Sequence, residues 1–239
     1  ISSRRFKQDT DRHVLMSGSY KHVKTGFSDF DAIFELEAIE TGSVVLIKSV
    51  PNANALNFLL SVAQQNLDNV EYITTAHRPR KLTDSLESLG CIRSEIPDVI
   101  SLPARAGCKE LNDTIDDLEL VEGSVVILDH IGLFDNAESS AISETLRLID
   151  ETAEQTSSVF FLHNLLPSSS GLSNYPPVEY ASDYVLSMTK DLTDEGIFQN
   201  IWIERLPIGQ SIKESKKSTR IVKIDDTLDR ISTNAGGRI

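Results

Sequence analysis

Short apolar runs alternate with stretches of helical spacing along most of the sequence. Val44–Ile47, Val125–Leu128 and Val159–Leu162 are continuous apolar runs, which is the pattern of strands buried on both faces of a sheet. Amphipathic stretches such as residues 80–90 and 136–155 lie between them. Strands that alternate with helices predict right-handed crossovers, so we expect an α/β fold with a mainly parallel sheet and helices on both faces.

Other segments add to this pattern. A helix is predicted from about Ala53 to Leu67, with Asn52 or Asn54 as its N-cap, because a short side-chain carbonyl can accept from the free amides of the first turn. A shorter helical stretch is predicted around Asp29–Leu36. The last forty or so residues alternate between apolar and polar positions with turn-like breaks, which predicts antiparallel strands at the C-terminal end.

Composition limits the function classes. The net charge of −13 and the pI of about 4.8 oppose binding to nucleic acid or anionic lipid, which depends on neutralising phosphates. No apolar run is long enough to span a bilayer. Two cysteines, Cys91 and Cys108, are too few for a disulfide framework, so we expect a reducing, cytoplasmic setting. Residues 1–20 are polar and basic and are predicted to be an arm or linker, followed by one domain over residues 21–239.

Four residues with chemically versatile side chains lie at or just after predicted strand ends. Asp129 follows one strand, and His77, His130 and His163 each lie at or next to a strand end. Sites in parallel sheets form at the carboxyl ends of the strands, so the four side chains can share one crevice. A histidine there is usually a hydrogen-bonding residue at the rim of the core. The alternative is a metal site or acid–base chemistry.

Taken together, these elements resemble the RecA-type ATPase domain of the archaeal and bacterial KaiC group, which includes the GvpD and FlaH types. The resemblance is carried by the order of GSVVLI, EYITTAHRPRKLTDSLESLG, GSVVILDHIGLF and VEYASDYVLSM, and by the terminal IWIERLPIG segment. HVKTGFSDFDAIF is similar to the entry motif of that group, with Thr25 and Gly26 followed by Phe30 and Asp31. The resemblance implies a RecA-like three-layer α/β/α fold.

The phosphate loop departs from this group's pattern. The glycines of G-x-x-G-x-G-K-[ST] fall on Ser49, Asn52 and Asn54, its lysine on Ala55 and its hydroxyl residue on Leu56. Glycines let backbone amides approach the phosphates, lysine supplies charge, and the hydroxyl binds magnesium. All three contributions are missing, so no nucleotide cofactor and no metal is expected.

Two further elements of the group are also replaced. The glutamate pair that orients the attacking water matches Ala76 and His77, and the K-x-R element that reaches a neighbouring subunit's phosphate falls on Glu204 and Leu206. Of the ATPase residues only Asp129, at the position of the magnesium-binding carboxylate, is retained. One carboxylate without a phosphate cradle is a poor magnesium site.

We therefore expect a catalytically inactive RecA-like domain that acts as an assembly or signalling module. It would pair with itself or with a related, active ATPase. One alternative is an enzyme that uses the rebuilt crevice of Asp129, His77, His130 and His163 with a metal or nucleotide. Another is a nucleic-acid-binding protein that uses a basic loop, although the overall charge opposes it. This basic loop contains Lys213, Lys216, Lys217 and Arg220.

Overall fold

The computed structural model describes nine stretches of the chain, residues 22–31, 39–51, 53–103, 105–135, 137–166, 176–193, 196–207, 218–223 and 231–233. Its strands are β1 His22–Val23, β2 Ile39–Glu40, β3 Ser43–Ser49, β4 Val70–Thr74, β5 Val99–Ser101, β6 Val125–Asp129, β7 Val159–Leu165, β8 Tyr184–Thr193, β9 Gly196–Arg205, β10 Ser218–Lys223 and β11 Ile231–Thr233. Its helices are α1 Ser28–Asp31, α2 Ala55–Gln65, α3 Pro79–Ser88, α4 Cys108–Asp116, α5 Ser139–Thr156 and α6 Pro176–Ala181, and short 3-10 turns cover Leu67–Asn69, Arg93–Glu95 and Ile131–Phe134.

The strands other than β1 and β2 form one mixed sheet. Its order is β11-β10-β9-β8-β3-β7-β6-β4-β5 in the described part of the chain. Pairing is parallel from β8 through β3, β7, β6 and β4 to β5, and antiparallel from β8 outward to β11. The predicted parallel sheet and the antiparallel C-terminal strands are therefore both confirmed.

Residues of β3 alternate between two hydrophobic cores. Val45 and Ile47 pack in a core with the apolar faces of α2 and α3. Val44 and Leu46 pack on the opposite face, in a core with α4, α5 and α6. Because successive strand residues point to opposite faces, the continuous apolar run of β3 supplies both cores. The result is the three-layer arrangement expected from the sequence.

The entry motif lies beside the first of these cores. Thr25 donates to Asp31 from its backbone amide at 3.0 Å and from its hydroxyl at 2.8 Å. Gly26 has a φ of +87°, and a Cβ placed on it would lie 2.3 Å from the Ser61 hydroxyl oxygen on α2. Only glycine fits this close approach without displacing a neighbour. Phe30 is buried and packs edge-on against Phe58.

Several predicted features are only partly described. The first helical stretch is present as Ser28–Asp31, and the rest of the predicted Asp29–Leu36 helix, like the predicted arm at 1–20, lies outside the described residues. Asn54 is the N-cap residue of α2, as one of the two predicted positions, but the predicted side-chain cap is wrong for it. This residue precedes α2 with φ 56°, in the left-handed region, and its side chain makes no capping bond. Asn52 is not among the described residues.

Among the helices of the described ranges, none is both long enough and apolar enough to cross a bilayer.

Candidate functional site

Side chains from four neighbouring strands meet at the carboxyl edge of the parallel sheet. Asp129 ends β6, His163 lies near the end of β7, Ser49 ends β3, and Tyr72 lies on β4. The turn after β4 adds His77, and the residue after β6 is His130. We call this group the strand-end cluster; it comprises Ser49, Tyr72, His77, Asp129, His130 and His163. The three histidines and Asp129 share one crevice, as predicted, and His77 and His163 contact the carboxylate.

Asp129 lies at the centre of the cluster and is buried. Its Oδ1 lies 2.7 Å from Nδ1 of His163. Its other oxygen accepts from the Tyr72 hydroxyl at 3.2 Å and lies 3.5 Å from Nε2 of His77. Burial on its own would raise the pKa of Asp129, but the hydrogen bond and charge of His163, the charge of His77 and the Tyr72 bond hold it below its ordinary value. Asp129 is therefore ionised at neutral pH.

The hydrogen bond to Asp129 fixes the tautomer of His163. An ionised carboxylate only accepts, so Nδ1 of His163 carries the proton that is shared with Asp129. The opposite ring nitrogen, Nε2, lies 2.9 Å from the hydroxyl oxygen of Ser49. In neutral His163 this nitrogen accepts the Ser49 proton. Ser49, His163 and Asp129 therefore form a continuous line of two hydrogen bonds across β3, β7 and β6.

His130 packs against the cluster without joining this line. Its ring lies edge-on to that of His163, with centroids 5.8 Å apart. Its Nδ1 accepts from the Gly132 amide at 2.7 Å. Burial, followed by the charge of His163, lowers the pKa of His130, so its ring is neutral at neutral pH. The backbone amide of Gly132 therefore fixes its orientation.

Tyr72 completes the second side of Asp129. It is fully buried on β4, and burial together with the charge of Asp129 raises its pKa well above the ordinary value. Its hydroxyl is therefore always a donor under physiological conditions. Sequence reasoning missed Tyr72, and it named Ser49 only as a replaced glycine of the phosphate loop, without its contact to His163.

The described residues at the degenerate phosphate loop lie at the end of β3 and the start of α2. Ser49 is the last residue of β3, and Asn54 immediately precedes α2. Ala55 is the first residue of α2 and is buried, and Leu56 packs against the core on the α2 side. Ala55 and Leu56 are apolar, whereas the matching positions of the KaiC group's phosphate loop carry the lysine and the hydroxyl residue.

A second polar group lies on the other face of the β3 end. Nζ of Lys48 lies 2.9 Å from Glu179 and 2.5 Å from Glu204. Burial would lower the pKa of Lys48, but the hydrogen bonds that it donates to the two carboxylates outweigh this effect and raise the pKa. Ser187 donates to Glu204 and Arg205 to the Glu179 carbonyl. We call Lys48, Glu179 and Glu204 the lysine clamp.

The positions that match the missing glutamate pair and K-x-R element are also placed. The amides of Ala76 and His77 donate to the Thr74 hydroxyl at 3.2 and 3.0 Å, which shapes the turn after β4. This turn directs His77 toward Asp129. Glu204 belongs to the lysine clamp, and Leu206 packs against the core.

The metal site and the basic loop, which belong to the two alternative functions, are only partly testable in the described residues. No group of three or more His, Cys, Asp or Glu within the described ranges is arranged to hold a metal ion. Of the basic loop, Lys213, Lys216 and Lys217 lie outside the described residues, and Arg220 is on β10. The nucleic-acid alternative therefore stays a prediction.

Comparisons with known proteins agree with this architecture. The profile of a family of unknown function, DUF7125, matches residues 23–230. The chain belongs to this family. Its fold is similar to the crystal structure of a KaiC-like protein from the hyperthermophilic archaeon Pyrococcus horikoshii OT3, with a TM-score of 0.66 and 15% identity, covering 90% of this chain and 99% of that one. At this identity the likeness shows the fold, and the predicted KaiC-type, RecA-like fold is confirmed. A search of curated proteins gives no match.

Proposed function

We propose that this chain is a RecA-fold domain that neither binds nor hydrolyses ATP to a useful extent and that acts as an assembly or regulatory module. The observation that carries the proposal is the environment of Asp129. Its carboxylate is held by His163, Tyr72 and His77, and these contacts occupy both oxygens from within the protein. A magnesium ion would have to displace them.

The lysine clamp supports the same conclusion. Lys48 is the cation nearest along the chain to the degenerate loop, and two carboxylates already neutralise it. With one positive and two negative side chains, the clamp carries a net charge of −1. A triphosphate brought to this end of β3 would be repelled rather than held.

The size of the effect follows from the replaced loop residues. Hydrogen bonds to charged groups contribute about 1.5–3 kcal/mol each, so losing the lysine and the hydroxyl removes roughly 3–6 kcal/mol. At about 1.4 kcal/mol per tenfold change, a micromolar affinity for ATP becomes millimolar or weaker. Hydrolysis falls further because the same groups stabilise the transition state.

Exposed aromatic residues favour a role in protein contacts. Trp202 on β9 and Tyr180 on α6 are both exposed, and aromatic residues are enriched in protein interfaces. Arg205 donates to the Tyr180 carbonyl, so α6 and the end of β9 are adjacent. We infer that this side contacts a second copy of the chain or a related, active ATPase.

Calorimetric titration with ATP and magnesium, combined with light scattering for the assembly mass, tests the proposal. The wild-type chain should give no binding heat up to about 0.1 mM ligand, because the missing contacts place the dissociation constant near or above the millimolar range. The variant A55K/L56T returns the lysine and the hydroxyl, and its affinity should rise at least about tenfold. Micromolar binding or measurable turnover by the wild-type protein would contradict the proposal.

A second candidate function is an enzyme that uses the rebuilt crevice of His77, Asp129, His130 and His163. The contacts of His77 and His163 with the buried Asp129 carboxylate, and the packing of His130 against His163, favour it. Metal analysis of the purified protein distinguishes an enzyme that uses a metal ion from one that transfers protons without a metal. Stoichiometric zinc or manganese would indicate metal chemistry, and metal-free protein would leave proton transfer as the remaining chemistry.

A further inference from the structure

The line from Ser49 through His163 to Asp129 has the connectivity of a nucleophilic triad. A hydroxyl lies 2.9 Å from one imidazole nitrogen, and a buried carboxylate lies 2.7 Å from the other. This is the arrangement in which a base removes a hydroxyl proton while a carboxylate orients the base. We propose that the strand-end cluster is an acyl-transfer site in which Ser49 attacks short-chain carboxylic esters.

The proposal goes beyond the module function and does not depend on it. A triad of this kind needs neither a phosphate cradle nor a metal ion. The sequence placed Ser49 only in the degenerate phosphate loop and did not predict its contact with His163.

The proton transfers balance within the three residues. Nε2 of His163 takes the proton of Ser49 as the serine oxygen bonds to the acyl carbon, and the resulting imidazolium is stabilised by Asp129. His163 then gives this proton to the departing alcohol as its bond to the acyl carbon breaks. A water molecule, deprotonated by His163, attacks the acyl-serine. The acid leaves, and the proton returns to the serine oxygen.

The neighbours of the triad support these roles. Tyr72 and His77 hold the second oxygen of Asp129, which fixes the carboxylate for its contact with His163. β3 ends at Ser49 and α2 begins at Ala55. Apart from the Asn57 amide, which donates to the Asn54 carbonyl, the first-turn amides of α2 have no acceptor within the helix. Such amides can stabilise the negative oxygen that forms during acyl transfer. The Asn54 side chain caps none of them.

Burial restricts the substrate class. Ser49 is 1% exposed and His163 is 7% exposed. Enclosure of the hydroxyl excludes a bulky acyl group, and the carboxylates of the cluster and the lysine clamp disfavour an anionic one. The inferred substrate is therefore a small, uncharged ester.

Covalent labelling of the full chain tests the proposal. The protein is incubated with a small fluorophosphonate, and intact-mass measurement followed by peptide mapping locates the adduct. We expect one adduct per chain, on Ser49. Because mapping uses the wild-type protein, it does not depend on the folding of a variant. Absence of an adduct, or an adduct on another residue, overturns the proposal.

Steady-state hydrolysis of p-nitrophenyl acetate gives the second measurement. S49A removes the nucleophile and H163Q removes the general base, so each should lower kcat by at least about 100-fold, with little change in KM. Ser85 is a matched control, since it is also buried but donates its hydroxyl to the Lys81 carbonyl. S85A should keep the wild-type rate, and an S49A rate equal to that of the wild type overturns the proposal.

The outcomes are independent of those for the proposed function. Micromolar ATP binding would contradict the module proposal and leave the Ser49 adduct unaffected. An unlabelled Ser49 with no ATP binding would overturn the acyl-transfer site alone.

Discussion

Asp31 and Asp129 are both buried aspartates, yet their surroundings move their pKa values in opposite directions. Burial raises the pKa of Asp31 and outweighs the hydrogen bonds from Thr25. At Asp129 the burial effect is outweighed by the hydrogen bond and charge of His163 and by the contacts of His77 and Tyr72, and the pKa is lowered. The neutral donors around Asp31 leave its carboxyl easily protonated, whereas the partners of Asp129 that can carry a positive charge keep it ionised.

The difference separates a fold-forming motif from a site with chemistry. Asp31 is bonded to a residue six positions away, within the entry motif. Asp129 is hydrogen-bonded to His163, which lies 34 positions later on β7, and to Tyr72, which lies 57 positions earlier on β4. The first contact shapes a turn. The second gathers ionisable groups at the edge where parallel sheets place their sites.

The largest effect is expected from D31A. Thr25 is fully buried, and the substitution leaves its amide and hydroxyl without their acceptor, at a cost of about 3 kcal/mol in the free energy of unfolding. Urea denaturation followed by circular dichroism measures it. D31N keeps an acceptor oxygen and should cost less than about 1 kcal/mol. Equal losses for the two variants would show that the charge of Asp31, rather than its acceptor atoms, stabilises the motif.

A smaller effect is expected from D129N. The amide oxygen can still accept from His163, but the charge that orients His163 is lost and the amide group faces Tyr72 and His77, so we expect a cost of about 1–2 kcal/mol. The same denaturation measurement applies. D129N should therefore cost more than D31N, and the reverse order would contradict the distinction between the two carboxyls.

The smallest effect is in the pH dependence. The folded pKa of Asp129 lies below the ordinary 3.8, so its contribution to stability is present above about pH 4 and is lost as the pH falls through the folded value. The folded pKa of Asp31 lies above 3.8, so its contribution is present below about pH 4 and is lost as the pH rises through the folded value. On acidification from pH 6 to 3, the difference in the free energy of unfolding between the wild type and D129N should become smaller. The corresponding difference between the wild type and D31N should become larger.

Much of the fold could be predicted from the sequence because local patterns determine it. The apolar run of β3 predicted a doubly covered strand, and alternation with helices predicted the parallel sheet. The entry motif could be recognised because Gly26 and Asp31 act within a short stretch of chain. The strand-end positions of Asp129 and His163 also followed from the pattern.

The remainder depends on contacts between distant residues. The hydroxyl of Ser49 gave no local signal, since a serine at a strand end is compatible with many roles. The partners of Lys48 lie 131 and 156 positions away, so its neutralisation could not be predicted. Asn54 was expected to cap α2 with its side chain, whereas it provides a left-handed backbone, which asparagine tolerates better than most residues.

The hydrogen bond between Ser49 and His163 joins residues 114 positions apart. Closing a loop of that length costs entropy that only a nearly assembled sheet offsets. We therefore expect the bond to appear among the last events of folding, after the central strands have found their order. Labelling of Ser49 by a fluorophosphonate, followed during refolding, would report when the native strand order has formed.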